Sequence, residues 1–166
     1  MKHYRRLAVL IEELALLGLF ALYTSDASAQ QRQPGDDFFR KGIQLWEADK
    51  REEAIGLFQR ARALQPERAD ILTYLGCALQ ERFSMNALDT GAGIANEADT
   101  LLKEALGRDL KNVAALDCMG VLLFAAGSAG MPINQEKLSE AKRFFKRHID
   151  LEPREKEPYY WIGVID

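Results

Sequence analysis

From Asp36 onward apolar residues recur at intervals of three and four, which places them along one face of a helix. Phe38, Gly42 and Leu45 share such a face, and the spacing predicts a helix opened by Asp36 or Asp37 that runs to about Ala48. Asp49-Lys50 turns the chain. A second helix then starts at Glu52, carries Ala54, Phe58 and Ala61 on one face, ends near Leu64 and is stopped by Pro66. Small residues on one helix facing large ones on the other are what close packing of a hairpin needs. The spacing returns at Gly76, Ala98, Leu102 and Ala105, and again at Gly120, Ala141, Phe145 and Pro153. A chain that copies itself in this way predicts a stack of helical hairpins, each burying its apolar face against its neighbours.

The run Gly42-x-x-Leu45, Ala54-x-x-x-Phe58-x-x-Ala61, Pro66 resembles a tetratricopeptide repeat. It departs from that family in Phe38, where tryptophan is common, and in Lys41, where a leucine precedes the glycine. The resemblance implies an all-α, right-handed superhelical stack of helix-turn-helix hairpins. The domain is expected over 36–166, with repeats at about 36–68, 69–112 and 113–155 and a partial fourth at 156–166.

The second and third copies are long. From glycine to alanine the first copy counts twelve residues (42 to 54), the second twenty-two (76 to 98) and the third twenty-one (120 to 141). The added residues, 84–95 (SMNALDTGAGIA) and 127–134 (GSAGMPIN), read as loops between the two helices of a repeat, with Asn96 and Asn134 as caps that restart helix. Both would emerge on one edge of the stack, where use as a binding edge and neutral loop growth stay equally open.

On each first helix, the positions turned away from the hairpin partner are Phe39, Ile43 and Trp46 in the first copy and Thr73, Cys77 and Gln80 in the second. The third supplies Ala114, Asp117, Val121 and Phe124, and the partial fourth Tyr160 and Val164. In tetratricopeptide proteins this concave row receives an extended peptide or a helix, so the resemblance implies a polypeptide ligand. Chaperone-binding members grip a C-terminal carboxylate with basic and amide side chains, which Phe39 and Ile43 do not match. Trp46 and Phe124 read equally as aromatics packed on neighbouring helices.

The first 29 residues have the layout of a secretory signal peptide: basic through Arg6, apolar from Ala15 to Tyr23 and closing on Ala27-Ser28-Ala29. Glu12 and Glu13 keep the apolar run too short for a lasting membrane anchor. Residues 30–35 (QQRQPG) read as a linker, and the protein is expected outside the cytoplasm, in a bacterial periplasm or envelope. The removed segment carries equal numbers of acidic and basic residues, so the net charge of -3 belongs to the remainder and offers no footprint for nucleic acid.

Export would place Cys77 and Cys118 in an oxidising compartment. Both fall in first helices of adjacent hairpins, so a bridge between them stays open, but Cys77 follows its glycine directly whereas Cys118 precedes its own by two, which points them to different sides and favours two independent thiols. With His148 as the one histidine past the leader, no four-ligand zinc site can form, and no metal or cofactor is expected. His148 stands where the other copies have alanine, and no motif gives it a nucleophile or an orienting group, so a structural role is expected. Lys142, Arg143, Lys146 and Arg147 form a basic stripe on the same helix that reads as a solvated face.

Residues 158–166 (PYYWIGVID) look like a further first helix, with Tyr159, Trp161, Ile162 and Ile165 as apolar surface available for self-association. A longer natural chain, mutual covering by two copies and a docking role all account for it. Together these features predict a non-catalytic scaffold that binds a protein or peptide of the envelope; the alternative is a structural or oligomerising module whose groove or end is filled by its own chain or another copy.

Overall fold

The computed structural model describes residues 33–85, 91–129 and 131–166; the expected signal peptide and residues 30–32 of the linker lie outside the described residues. Residues 34–166 form one compact unit. Its elements are α1 (Asp36–Glu47), α2 (Arg51–Leu64), α3 (Ala69–Met85), α4 (Gly91–Arg108), α5 (Val113–Ser128), α6 (Gln135–Leu151) and α7 (Glu157–Ile165), and the described residues contain no strand. The architecture is the all-α repeat stack that the spacing predicts. Helices α1 and α2, α3 and α4, and α5 and α6 pair as hairpins, α3 packs against both α2 and α5, and α7 rests on α6 and α5.

Local chemistry sets the turns. Gly35, with φ of 102°, precedes α1 as its cap, so Asp36 and Asp37 occupy the first turn, where acidic groups suit the exposed N–H dipoles. At the other end Asp49 takes φ of 60°, and the Lys50 N–H donates to the Leu45 carbonyl (2.9 Å) while the Asp49 N–H donates to that of Trp46 (3.1 Å). This six-to-one closure satisfies the last carbonyls of α1 and reverses the chain in three residues, Ala48 to Lys50.

Each hairpin closes on a glycine. A Cβ placed on Gly42 would stand 2.5 Å from the Phe58 ring, one on Gly76 2.8 Å from Leu102, and one on Gly120 2.6 Å from the Phe145 ring. The missing side chain lets the partner's ring or isobutyl group sit against the helix backbone, and Phe58, Leu102 and Phe145 are fully buried there. One continuous core, from Phe39 to Phe145, threads the hairpins together.

Three expectations are corrected. The residues added to the second repeat are mostly helical: α3 continues to Met85 and α4 begins at Gly91, so Asn96 lies inside α4 instead of capping it. Gly91 and Gly93 sit in its first turn, where loss of helix propensity weighs least, and apolar contacts by Ile94 and Ala95 hold the extension against the core. In the third repeat α5 likewise runs to Ser128, which shortens the connection, while Asn134 does cap α6 by accepting from the Lys137 N–H (3.1 Å).

Cys77 and Cys118 are bonded to each other, with Cα atoms 5.3 Å apart, joining α3 to α5. Two helices lying side by side touch through opposite flanks, so different offsets from the glycines are what such a bridge requires. Closing a loop across a sequence separation of 41 restricts the unfolded chain by about 4 kcal/mol in the chain-entropy picture. Finally, Phe39 belongs to the core, at 6 % exposure, with its ring 5.9 Å from Phe58 and 5.3 Å from Tyr74.

Two glycine substitutions separate packing from propensity. Gly120→Ala drives a methyl into the Phe145 ring and should cost about 1–3 kcal/mol. Gly56→Ala, on a helical site with nothing described within 4 Å of the new carbon, should gain about 0.5–1 kcal/mol. Urea midpoints of the two variants check both signs.

Candidate functional site

The candidate surface is the row of first-helix positions on α1, α3, α5 and α7. Ile43 and Trp46 on α1, Val121 and Phe124 on α5 and Cys77 on α3 are half-buried, packed by part of their surface on the core. Ala114, Tyr160 and Val164 are exposed, Tyr160 to 66 %. The Trp46 indole leans on Phe58 (6.4 Å) and carries the Arg51 guanidinium over its face at 4.0 Å. Phe124 packs on Trp161 of α7 at 5.2 Å. Both aromatics therefore combine packing with a free edge.

The remaining expected residues are committed elsewhere. Thr73, at 4 % exposure, donates to the Ala69 carbonyl (2.8 Å) and accepts from Asn112 Nδ2 (2.8 Å), which also caps α5 through its Oδ1. Gln80, at 5 %, donates to Ser84 Oγ (2.9 Å). A β-hydroxyl or amide that can bond the helix one turn away has a partner without solvent, which is why these polar groups lie inside.

Asp117 turns toward α6, its Oδ1 2.5 Å from His148 Nδ1. Burial raises the Asp117 carboxyl above its usual value, opposed by the His148 hydrogen bond and charge, while Glu157 and Glu152 push it further up. His148 is buried, and its Nε2 lies 3.8 Å from Glu152 Oε2 with no hydrogen-bond partner among the described residues. The imidazole fills a site that alanine fills in α2 and α4, and Asp117 orients it. The pair was not legible beforehand because its members stand 31 residues apart on different helices. A ring so enclosed offers a substrate no open nitrogen, and the described residues hold no group of three His, Cys, Asp or Glu suited to a metal ion.

A second cluster also went unread. Arg68, in the turn before α3, donates from Nε and Nη2 to the two carboxylate oxygens of Asp70 (2.8 and 2.9 Å), pairs with Asp36, donates to Gln65 Oε1 (2.8 Å) and lies 5.0 Å from the Phe39 ring. The bidentate bond to Asp70 is the chief cause that raises its already high pKa. The only sign in sequence was two aspartates near the starts of α1 and α3 with one arginine beside them.

At the far edge, between the α1–α2 turn and α3, Asp49, Arg51, Glu52, Glu81 and Arg82 line an open cleft of about 360 Å³. Its ion pairs, Arg51 with Asp49 (3.0 Å) and Glu81 (3.5 Å) and Arg82 with Glu52 (3.4 Å), satisfy one another. No described helix is long and apolar enough to cross a membrane.

Because the folded protein holds the Asp117 proton more tightly than the unfolded chain, this group's contribution to stability is complete below about pH 4, the unfolded carboxyl value. It is lost as pH rises through the higher folded value. Asp117→Asn keeps an acceptor for His148, so it should flatten that decline and leave stability at pH 7 undiminished; an unchanged slope in urea midpoints between pH 3 and 7 would sink this assignment. His148→Ala, which strands the carboxylate, should lose about 1–3 kcal/mol.

No family model matches the sequence, and no curated protein matches it. Among solved structures, the chain superimposes on the TPR domain of Arabidopsis OM64 with a TM-score of 0.64 and 17 % identity, over 79 % of this chain and 93 % of that one. It superimposes equally, at 0.64 and 20 % identity, on the first TPR of Spaghetti (RPAP3) bound to the HSP90 peptide SRMEEVD, over 80 % of this chain and 90 % of that one. At such identities the likeness speaks for architecture: the chain has the tetratricopeptide-repeat fold.

Proposed function

We propose that the protein is a non-catalytic scaffold that holds a peptide or helix of an envelope partner along its row of first helices. The observation that carries this reading is the set of apolar side chains with free edges on that row, Ile43, Trp46, Val121, Phe124 and Tyr160, in a fold one of whose neighbours carries a bound peptide. Their chemistry favours an apolar segment. The acidic peptide SRMEEVD held by that neighbour is a poor guide, since Arg68 is already neutralised by Asp36 and Asp70. The loop after α5 presents Met131 at 99 % exposure and Ile133 at 51 %, apolar contacts that would add selectivity at the edge.

Export is part of the proposal, supported by the leader-like layout of residues 1–29 and by a disulfide, which persists in oxidising compartments. The alternative, a structural module of a larger assembly, is favoured by the exposed tyrosines of α7.

A heptapeptide library displayed on phage and selected on the protein should enrich apolar sequences. Their affinities, measured by fluorescence anisotropy, should fall about tenfold, or 1.4 kcal/mol, for Ala114→Lys with Val164→Lys, both exposed positions. Unchanged affinities would move binding off the row. Residues 1–35 fused to alkaline phosphatase should yield enzyme active outside the cytoplasm, and Leu16→Arg with Leu19→Arg should abolish it; activity confined to the cytoplasm would refute export.

A further inference from the structure

The bond between Cys77 and Cys118 lies within the first-helix row. Both cysteines are half-buried, packed by part of their surface on the core. On α5 the residues one turn to either side of Cys118 are Ala114, which is exposed, and Val121, which is half-buried and belongs to the row. The Cys77 sulfur stands 3.8 Å from the Ala114 carbonyl oxygen. The flank of the disulfide turned away from the core therefore borders an exposed alanine, whose methyl group is a small obstacle to an approaching thiolate.

What the bond fixes is the spacing of α3 and α5. A second tie joins the same two helices: Thr73 Oγ1, one turn before Cys77, accepts from Asn112 Nδ2 at 2.8 Å, and Asn112 caps α5. That tie stands at the starts of both helices. The disulfide lies beyond it, and from there α3 continues to Met85 and α5 to Ser128. The hairpin contacts, Leu102 on Gly76 and Phe145 on Gly120, run from α3 to α4 and from α5 to α6 and do not pass through the sulfurs. With the bond cut, each hairpin keeps its own lock, and α3 and α5 can splay about the Thr73–Asn112 tie.

We propose that the Cys77–Cys118 bond is a thiol–disulfide exchange site that sets the ligand affinity of the first-helix row, with a dithiol as its reactant; the claim on affinity rests on the row being the binding surface. A thiolate of the dithiol bonds to one cysteine sulfur as the bond to the other cysteine breaks, and the second thiol then displaces the first cysteine. The reagent leaves as a disulfide, and Cys77 and Cys118 gain the two electrons and two protons that it gives up. The oxidised protein presents the row at one spacing. In the reduced protein a ligand must also draw α3 and α5 back together, so part of its binding energy is spent on ordering and affinity falls.

The probe is dithiothreitol, added without denaturant. Samples quenched with excess N-ethylmaleimide should gain two groups per chain, one on each cysteine, at a rate that rises in proportion to the dithiol, while far-UV circular dichroism stays helical. Hydrogen exchange should then quicken about tenfold in residues 78–85 and 119–128, beyond the bridge, while α1 and α2 keep their protection. Apolar peptides selected on the oxidised protein should bind the reduced protein, and the variant carrying Cys77→Ser with Cys118→Ser, about fivefold more weakly. Reduction at a rate independent of the dithiol and set by unfolding would overturn the proposal. So would loss of protection in every helix at once, or equal peptide affinity in the two states. If no peptide binds in either state, the row reading fails by itself, and the pattern of hydrogen exchange alone decides for or against the exchange site.

Discussion

The stack depends on a contact made by an absent side chain. Where a first helix has glycine, the ring or leucine of the next helix descends to the backbone, and the distance between the two axes is set there. Each such group brings about 1.5–3 kcal/mol through burial, but its larger effect is geometric. A methyl at Gly42, Gly76 or Gly120 would collide with Phe58, Leu102 or Phe145 and push the hairpin open. The disulfide, the buried histidine and the arginine cluster all presuppose helices held at that spacing.

Around this lock the polar groups secure flanks that apolar packing leaves free to slide. Arg68 binds the starts of α1 and α3 through Asp36 and Asp70, Asn112 joins the start of α5 to Thr73 of α3, and Asp117 joins α5 to His148 of α6. Each bond is directional, so each allows one sliding position only. The consequence for the candidate surface is that several polar residues of the first helices serve the fold, leaving mainly apolar edges to meet a ligand.

Hairpin pairing, the glycine contacts and the all-α class were readable because they rest on intervals of three and four within short segments, and Gly42 through Pro66 displays them without interruption. What escaped was set by contacts between repeats. Phe39 and Phe38 are adjacent, and which of them enters the core is decided by Tyr74 of the next hairpin, whose ring closes over both Phe39 and Phe58. Gly91 and Gly93 argued for loop on propensity, yet Ile94 and Ala95 gain enough by packing to extend α4 past them. The cysteine offsets were seen correctly and misread, since a pair across two adjacent helices needs unlike offsets where a pair within one hairpin face would need like ones.

A helical stack held by neighbour contacts yields from its ends inward, and the bridge between α3 and α5 changes what an applied force can extract. Pulled by its two termini, the chain can release residues before Cys77 and after Cys118, but the 41-residue separation they close stays looped. At about 3.4 Å per extended residue that withholds on the order of 140 Å of contour length. Under such a load the folded chain has a built-in limit to its stretch, one that holds for as long as the Cys77–Cys118 bond stays oxidised.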